Sequence, residues 1–489
     1  MAQINLIGID ETTSARALAV RGDDGQEGFA TRAIAGATNW NGNPAFPAFD
    51  LASLPGMFRD MLDELAADGF VPAKTGRISI SCRQHDMVVL DREGKLLLPA
   101  LMWQCNAADE ETKTLNNDPL VTGSVGSVEP RLVLPKLLKV LAVEKSLRER
   151  VWTVLTTGDY VAYLLTGQLG LNSSEAKSNG LFDRNTQSLP LSVLDKYQLP
   201  RDWFSPLLRS GEVVGTIGGG PAVGLSGDWQ TLRERLAGWH FCAGLGDNHA
   251  SGVGCGVTDS GSLLASLGTS GTNNWVSEAA PPAVPGLLGF GYYDATLWLN
   301  MLHHCAAWYN RFLDEFAAPL QDDHETLNRL ADQSEPAELV RVPYCQDQGE
   351  SYPPGWTRLS LKVKVASVQF SILCEMLARM RSMLAAIDAQ KLKRPDRFIL
   401  TGGLSQSPFA QHLFHAGVKL LAGESGQPLL SGRSGPLRYK TTAYGALINA
   451  EFYGDVTKIP AARFPTVPCP APAGRQAKGL RERLKLQLA

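Results

Sequence analysis

Two short turns in this chain are rich in threonine and serine and could bind phosphate groups. The first turn, Thr12–Ser14, follows the apolar segment Ile4–Asp10, and the second, Gly268–Ser270, follows Ser262–Leu267. A phosphate group binds where several backbone N–H groups converge, which requires small residues and is reinforced by hydroxyl groups and a cation. Taken singly, each turn is also typical of an ordinary hairpin. The predicted phosphate-binding residues are Thr12, Thr13, Ser14 and Arg16 in the first segment and Gly268, Thr269 and Ser270 in the second.

A carboxylate suited to proton transfer follows the apolar segment Phe241–Ala243. This residue, Asp247, lies in the glycine-bracketed segment Gly244–Gly252. If the bend begins a helix, the positive end of the helix dipole keeps the Asp247 carboxylate ionised and able to accept a proton. We therefore predict that Asp247 is a general base. The alternative is a helix N-cap without a catalytic role.

The segment Arg83–Asp86 is a dense group of hydrogen-bonding side chains just after the predicted strand Arg77–Ser81. Such a group suits the several hydroxyl groups of a polyol, and Trp103 could add a flat stacking surface. We predict that Gln84, His85 and Trp103 contact a substrate. The alternatives are a solvated turn for Arg83–Asp86 and a tryptophan that anchors the core.

Composition and motifs exclude several classes of protein. Lys and Arg total 46 and Asp and Glu total 49, so the net charge of −3 favours neither nucleic acid nor a membrane as a partner. The sequence contains no P-loop motif, no Gly-x-Gly-x-x-Gly and no Gly-x-Ser-x-Gly. Eight scattered cysteines without Cys-x-x-Cys spacing, and an N-terminus without a basic lead, predict reduced thiols in a cytoplasmic protein.

The elements that must position these residues include a repeated hairpin. Each hydroxyl-rich turn lies between two predicted strands, and the two hairpins are separated by about 250 residues, which predicts a duplicated domain. The glycine-rich segment 215–227 predicts a linker or long loop before the second half.

A long core helix and a strand with a glycine turn are predicted in the second half. The helix follows from apolar residues at spacings of three and four, namely Phe370, Leu373, Leu377, Met380, Leu384 and Ile387. The strand Arg397–Leu400 leads into the segment Gly402–Ser407, called the glycine turn below. In α/β sheets, ligands bind where strands end in this way.

The order of these motifs resembles the FGGY family of carbohydrate kinases along nearly the whole chain. Residues 7–14 resemble the first phosphate motif of that family, and Gly246–Asn248 resembles its catalytic segment. Leu267–Gly271 is similar to the second phosphate motif, and Thr401–Pro408 is similar to the adenosine motif. Several independent segments therefore agree with one family in one order.

The resemblance implies an α/β fold of two ribonuclease-H-like, actin-like domains that face each other across a cleft. It implies transfer of the γ-phosphoryl group of ATP to a sugar hydroxyl, with Asp247 as base and in contact with the sugar. It also implies that Asp10 contacts the sugar and lies near Mg²⁺. Gly402, Gly403 and Ser407 are expected to bind ATP.

The boundary between two domains is expected near residues 235–240, after the glycine-rich segment 215–227, and the resemblance implies the role of each domain. We expect residues 1–238 to form an N-terminal domain with the sugar site and first phosphate loop, and residues 239–460 to form an ATP-binding C-terminal domain. Residues 461–489, rich in Pro and then in Lys and Arg, are expected to be a surface tail.

The chain departs from the family pattern at two motifs. Most relatives read Asp-x-Gly-Thr-Thr-Ser-x-Lys, whereas the segment Asp10–Arg16 is one residue shorter, lacks the glycine and carries Glu11. Ketose kinases of the family have a Gln-Met-His triplet, of which Arg83–His85 keeps only the histidine.

The leading hypothesis is an ATP- and Mg²⁺-dependent kinase of a small ketose, with xylulose as the first choice. Sedoheptulose, another ketose or a polyol is the alternative within the family. Two further hypotheses are a catalytically weak, actin-like regulatory protein that binds nucleotide or sugar, and an α/β sugar-binding protein without kinase activity. The expected partners are small molecules, and the sequence leaves the oligomeric state open, with a homodimer among the alternatives.

Overall fold

The computed structural model describes residues 2–13, 15–34, 37–222, 225–344, 352–432 and 440–488. The chain divides into two compact α/β units. The first unit consists of Met1–Gly254, Phe290–Asp294 and Thr442–Ile459. The second consists of Cys255–Gly289, Ala295–Thr441 and Pro460–Ala489.

The first unit is built on a mixed sheet with the strand order β12-β13-β6-β1-β2-β3, in which β14 also pairs with β6. Strands β1, β2 and β3 are antiparallel neighbours, whereas β6 runs parallel to β1 and β13 and β14 run parallel to β6. The strands of this unit are β1 (Ala2–Glu11), β2 (Ala15–Gly22), β3 (Glu27–Ala33), β4 (Thr38–Asn39), β5 (Pro47–Phe49), β6 (Phe70–Cys82), β7 (Val88–Leu90), β8 (Ala100–Leu101), β9 (Thr153–Leu155), β10 (Leu171–Asn172), β11 (Leu207–Leu208), β12 (Val213–Thr216), β13 (His240–Cys242) and β14 (Leu245–Gly246).

Helices flank this sheet and carry much of its apolar core. The helices of this part of the chain are α1 (Leu54–Ala67), α2 (Asp109–Asn116), α3 (Pro119–Ser124), α4 (Val133–Val143), α5 (Thr157–Thr166), α6 (Ser173–Ser178), α7 (Leu191–Lys196), α8 (Gly227–Arg235) and α9 (Asp247–Gly254). The main core lies between the sheet and α1, α5 and α8, where Ile7, Phe58, Leu164 and Leu232 are buried.

The second unit has a sheet with the order β17-β18-β16-β15-β19-β20-β21. Its strands are β15 (Ser262–Leu267), β16 (Gly271–Ser277), β17 (Leu287–Tyr292), β18 (Ala295–Leu302), β19 (Arg397–Thr401), β20 (Gln427–Ser431) and β21 (Thr466–Pro468). The helices of the remaining chain are α10 (Ala306–Phe316), α11 (His324–Asp332), α12 (Leu361–Ala389), α13 (Pro408–Ala422), α14 (Thr441–Phe452) and α15 (Gly474–Leu488). Within these elements, α12 buries all six apolar residues of its predicted stripe.

The two sheets share one topology, which confirms the predicted duplication. In the first unit the order β3-β2-β1-β6-β13 begins with an antiparallel meander and continues with parallel strands. In the second unit the order β18-β16-β15-β19-β20 does the same. Both predicted hairpins are therefore the first two strands of such a sheet.

The compact units differ from the expected domain boundaries. We expected a boundary between residues 238 and 239, but β13 begins at His240 and its Phe241 pairs with Ile78 of β6 in the first unit. The first unit continues to Gly254 because β14 and α9 extend the same layer. The glycine-rich segment 215–227 includes the end of β12, and residues 223–224 lie outside the described residues.

The expected surface tail over residues 461–489 is wrong. Its last part forms α15, in which Leu480, Leu484 and Leu488 recur at a spacing of four and are almost fully buried in the core of the second unit. An apolar residue at every fourth position of a helix gives one apolar face. This face packs on the core, while the charged residues of the segment occupy the rest of the helix surface. Among the described residues, none of the helices combines the length and apolarity that crossing a membrane requires.

Candidate active site

Three neighbouring parallel strands of the first unit end at the same edge of the sheet, and each end carries predicted site residues. The pairing of β1 with β6 puts Asp10 opposite Ser81, and β14 pairs Leu245 with the same Ser81. Asp10, the segment Arg83–Asp86 (the polar turn) and Asp247 therefore lie at one edge. Carboxyl ends of parallel strands are where α/β sheets bind ligands.

The first hydroxyl-rich turn is a tight connection between β1 and β2. Thr12 donates its hydroxyl to the carbonyl of Ala15 at 2.8 Å and accepts from the N–H of Ala15 at 3.2 Å. Thr12 is half-buried and Thr13 is exposed, so both are open to a ligand. Ser14 lies outside the described residues.

Glu11 and Arg16 form a buried ion pair beneath this turn. Nε of Arg16 donates to Oε2 of Glu11 at 2.6 Å, and both side chains are 0% exposed. Nη1 of Arg16 donates to Oγ of Ser53 at 2.8 Å. The guanidinium group is thus occupied by protein partners, and the predicted contact of Arg16 with phosphate would require these bonds to open.

His85 has a strained backbone and a defined tautomer. Its φ angle is 68°, a left-handed conformation that is uncommon outside glycine and clusters at functional sites. The amide of Asn179 donates to the carbonyl of Glu175, so its Oδ1 is the acceptor for Nδ1 of His85 at 3.1 Å. Burial, followed by the charge of Arg131, holds the pKa of His85 well below 6.5. A neutral ring that donates through Nδ1 keeps Nε2 as an acceptor for a hydroxyl group.

Gln84 joins the polar turn to α9. Its Oε1 accepts from the amide of Asn248 at 3.1 Å, and its Nε2 lies 3.2 Å from Nδ1 of His249. The approach is close because residue 246 is glycine: a Cβ atom there would collide with the side chain of Gln84 and lie 2.5 Å from Oε1 of Glu175. Gln84 therefore joins the polar turn, which carries His85, to the start of α9, which carries Asp247.

Asp247 is the first residue of α9, as its position after a short strand predicted. Its Oδ1 accepts from the N–H of Asn248 at 2.8 Å. Burial is the largest influence on this carboxyl group and raises its pKa from 3.8 to about 6. The cost of burying the charge therefore acts against the ionised form. Above about pH 6 the group is nonetheless ionised.

Lys136 of α4 was not predicted and contacts the backbone of the polar turn. Its Nζ donates to the carbonyl of His85, and also to those of Leu101 and Met102 at 3.3 and 3.2 Å. Lys136 is 1% exposed, and burial lowers its pKa from 10.5 to about 8. A signal was present in the sequence, because Lys136 lies on the apolar face of α4 three residues after Val133. Trp103, which follows Met102, is half-buried.

In the second unit, the second hydroxyl-rich turn and the glycine turn are neighbours. Strands β15 and β19 are parallel, and Ser266 pairs with Thr401 near their carboxyl ends. Carbonyl groups of the hydroxyl-rich turn face the start of α10: Gly268 accepts from Ala306 at 2.9 Å and Thr269 accepts from Cys305 at 3.0 Å. These backbone carbonyl groups are therefore bonded within the protein. The side chain of Thr269 is exposed to solvent.

The glycine turn shows two different reasons for glycine. Gly402 has a φ of 92°, and a Cβ atom there would lie 2.5 Å from the backbone of Leu267, so the residue is needed for packing. Gly403 is exposed and a Cβ atom there would meet nothing within 4 Å, which leaves space for a ligand. Ser407 caps α13 and donates to Oε1 of Gln369 at 2.7 Å, so its hydroxyl positions the turn.

Sequence comparison identifies relatives for the first half of the chain. Residues 8–227 match the family model "FGGY family of carbohydrate kinases, N-terminal domain". A xylulose kinase of Klebsiella pneumoniae is 30% identical over 205 residues, which cover 41% of this chain and 40% of that protein. The sequence match therefore spans less than half of the relative.

Comparison of structures extends the likeness to nearly the whole chain. A ligand-bound xylulose kinase from Lactobacillus acidophilus has a TM-score of 0.77 at 16% identity and covers 99% of this chain and 96% of its own. A gluconate kinase from the same organism has a TM-score of 0.75 at 16% identity, with coverage of 98% and 96%. The first part of the chain is therefore similar to the N-terminal domain of the FGGY family of carbohydrate kinases, and nearly the whole chain shares the fold of these two kinases.

Proposed function

We propose that this protein is a kinase that transfers the γ-phosphoryl group of ATP to a hydroxyl group of a small ketose. The observation that carries the proposal is the juxtaposition, at one edge of the first sheet, of Asp247 with the polar turn and Asp10. A carboxylate that is ionised above about pH 6 suits deprotonation of a bound polyol, and the neutral imidazole of the polar turn can accept from a further hydroxyl group.

The proposed reaction uses Asp247 as the proton acceptor. The sugar oxygen forms a bond to the γ-phosphorus atom while the bond between this atom and the leaving oxygen of ADP breaks. The hydroxyl proton passes to the Asp247 carboxylate. Gln84 fixes α9 against the polar turn, and Nε2 of His85 accepts from another hydroxyl group of the sugar. Phosphoryl transfer needs mainly such positioning and charge stabilisation.

Nucleotide binding is proposed for the two neighbouring turns of the second unit. The exposed Thr269 would donate to a phosphate oxygen, and the open face at Gly403 would accommodate the adenosine part. In the first unit, Thr12 and Thr13 would contact phosphate from the connection between β1 and β2. Each of these motifs thus corresponds to a turn at the end of a strand.

The residues near Asp10 fit Mg²⁺ bound together with nucleotide. Mg²⁺ commonly takes one or two carboxylates and completes its shell with phosphate and water. Asp10 is 3% exposed, and its Oδ2 accepts from Oγ1 of Thr442 at 2.6 Å, so one carboxylate is fixed. Within the described residues, no cluster of three or more His, Cys, Asp or Glu forms a complete metal site. Asp10 would therefore hold the ion, whose charge stabilises the phosphate groups.

Xylulose is the first choice of substrate. The relative described above is a xylulose kinase. In addition, His85 corresponds to the histidine of the Gln-Met-His triplet that the resemblance associates with ketose kinases. Because a gluconate kinase has nearly the same fold likeness, the fold alone does not select the sugar. Sedoheptulose and other ketoses or polyols are the competing substrates.

The test is a screen for sugar-dependent ADP release by the purified chain with ATP and Mg²⁺. Ketoses, polyols, aldoses and sugar acids are compared, and Asp247→Asn is the matched control. We expect one ketose to stimulate ADP release by the wild type, and the rate with Asp247→Asn to be lower by about 10²-fold or more. Saturable ATP binding without ADP release for any sugar would instead support a regulatory protein.

A further inference from the structure

The departures from the family pattern meet in one buried cluster of charges. Glu11, Arg16, Arg83 and Asp86, called the charge cluster below, have side chains that are 0 or 1% exposed. Arg83 donates through Nε to Oδ2 of Asp86 at 2.7 Å and through Nη1 to Oε1 of Glu11 at 3.1 Å. Two guanidinium groups and two carboxylates balance, which is how buried charges are tolerated.

Arg83 connects two parts of the proposed site through this cluster. Its Nη1 also donates to the backbone carbonyl of Thr12, in the first hydroxyl-rich turn. Its own N–H donates to the carbonyl of Glu11 at 3.1 Å, and its guanidinium carbon lies 4.3 Å from the centre of the Phe49 ring. Asp86, held at the other end, directly follows His85. A planar group with several fixed donors is suited to such a bridge, whereas an ammonium group is not.

We propose that Arg83 is a positioning residue for phosphoryl transfer: it fixes the Thr12 turn relative to the polar turn that carries His85. The inference rests on the proposed function and deepens it. In most relatives a glycine and a lysine belong to the first motif, and here Glu11 and Arg16 stand in that segment. The charge cluster holds this shorter turn against the polar turn.

The charge of Arg83 also acts on Asp247. Three charged or titratable groups act on the Asp247 carboxyl group, namely Asp86 and Arg83 from the polar turn and Glu175 from α6. Burial and the N–H of Asn248 have the largest effects on the pKa of Asp247. The next largest come from Asp86, which raises this pKa, and from Arg83, which lowers it. Loss of Arg83 alone therefore raises the pKa of Asp247. Loss of Arg83 together with Asp86 removes two opposing influences and should leave this pKa nearly unchanged.

The experiment compares Arg83→Gln, Arg83→Lys and the double variant Arg83→Gln with Asp86→Asn. The lysine and double variants keep the charges of the cluster balanced, so they keep the test valid if Arg83→Gln alone does not fold. Arg233→Gln is the matched control, because Arg233 is also a buried arginine of the first unit and donates to the carbonyl of Leu164 at 3.0 Å. Melting temperature, Michaelis constants and the pH profile of kcat/KM are measured for each.

We expect all three Arg83 variants to raise the Michaelis constants for ATP and sugar by about tenfold or more. Arg83→Gln should also shift the acid limb of kcat/KM upward by about half a pH unit or more, whereas the lysine and double variants should not. The control should lose thermal stability without either change. Unchanged Michaelis constants in the folded Arg83 variants would overturn the proposal.

ATP binding with Mg²⁺ separates this inference from the proposed function. Isothermal titration calorimetry is carried out on the wild type and Arg83→Lys, without sugar. If the wild type binds ATP but phosphorylates no sugar, the kinase proposal fails, and weaker binding by Arg83→Lys of about tenfold still supports the positioning role. Equal binding by the two proteins in that case would contradict the role of Arg83 as well.

Discussion

Glu175 and His249 face each other inside the first unit without forming an ion pair. Oε1 of Glu175 lies 4.0 Å from Nδ1 of His249, and the two side chains are 2% and 0% exposed. Burial raises the pKa of Glu175 to about 8 and lowers that of His249 to about 4. Between these values both groups are neutral, and this neutrality spares Asp247 a second negative charge nearby.

The first prediction concerns stability and pH in Glu175→Gln. Because the pKa of Glu175 is raised on folding from 4.5 to about 8, the native state holds a proton that the unfolded state releases in this range. Stability contributed by this group therefore falls as pH rises from about 4.5 to 8, by up to a few kcal/mol. The glutamine variant does not titrate and should escape this loss.

Melting temperatures at pH 5 and pH 8.5 check this expectation. Relative to the wild type, Glu175→Gln should gain several degrees between the two pH values. The exposed Glu93→Gln serves as a control, because its side chain is 73% exposed. Parallel pH curves for the wild type and Glu175→Gln would contradict a raised pKa at residue 175.

A second prediction concerns Lys136, whose ammonium group supports the carbonyls of His85, Leu101 and Met102. Lys136→Met keeps the apolar stem but leaves three carbonyl groups without this donor. We expect the Michaelis constant for the sugar to rise by about tenfold and that for ATP to change little, because one lost set of polar contacts is worth about 1–3 kcal/mol.

The matched control for Lys136 is Lys139→Met on the same helix. Lys139 is 28% exposed and pairs with Glu111 at 3.5 Å, outside the proposed site. In steady-state kinetics the two variants should differ only in the Michaelis constant for the sugar, which should be raised in Lys136→Met alone. Equal effects on ATP and sugar in Lys136→Met would show that the lysine supports the whole unit rather than the polar turn.

The sequence predicted local elements better than the relations between distant segments. Hairpins, the α12 stripe and the helix start at Asp247 depend on neighbouring residues, and the structure confirms them. Glu11 lies opposite Arg16 in the predicted hairpin, but the contact of Arg16 with Ser53 could not be predicted, because Ser53 approaches it only through the packing of α1 on the sheet. For the same reason, the pKa of Asp247 depends on burial that no short motif records.

The domain boundary shows the same limit. A glycine-rich segment near residue 220 has the composition of a linker, yet β13 beyond it returns to β6 in the first sheet. Residues 442–459 join the first unit although they come near the end of the chain. Composition indicates where a chain turns, but only strand pairing decides which sheet it joins afterwards.

A third prediction uses the two adjacent glycines of the glycine turn. Gly402→Ala should lower the melting temperature clearly, because its φ of 92° and the backbone of Leu267 leave no room for a Cβ atom. Gly403→Trp should fold normally, since a Cβ atom there meets nothing within 4 Å, but should abolish the thermal shift given by ATP with Mg²⁺. An undiminished shift in Gly403→Trp would remove this turn from the ATP site.

The last prediction separates two roles of Asp247. Asn at this position keeps an oxygen for the N–H of Asn248 but cannot accept a proton, so sugar phosphorylation in Asp247→Asn should fall by about 10²–10⁴. The raised folded pKa means that the ionised carboxylate costs stability above about pH 6. Asp247→Asn should therefore be at least as stable as the wild type at pH 7.5.

Measurements on one purified sample of Asp247→Asn distinguish catalysis from capping. A capping residue would lose about 1 kcal/mol of stability on substitution and keep its turnover per folded molecule. A general base gives the reverse: the melting temperature is kept and turnover is lost, while the wild type loses kcat/KM below about pH 6 as Asp247 takes up its proton. Near-normal turnover in this variant would remove Asp247 from catalysis and favour the regulatory alternative, because no other carboxylate in the proposed site is both partly accessible and ionised at neutral pH among the described residues.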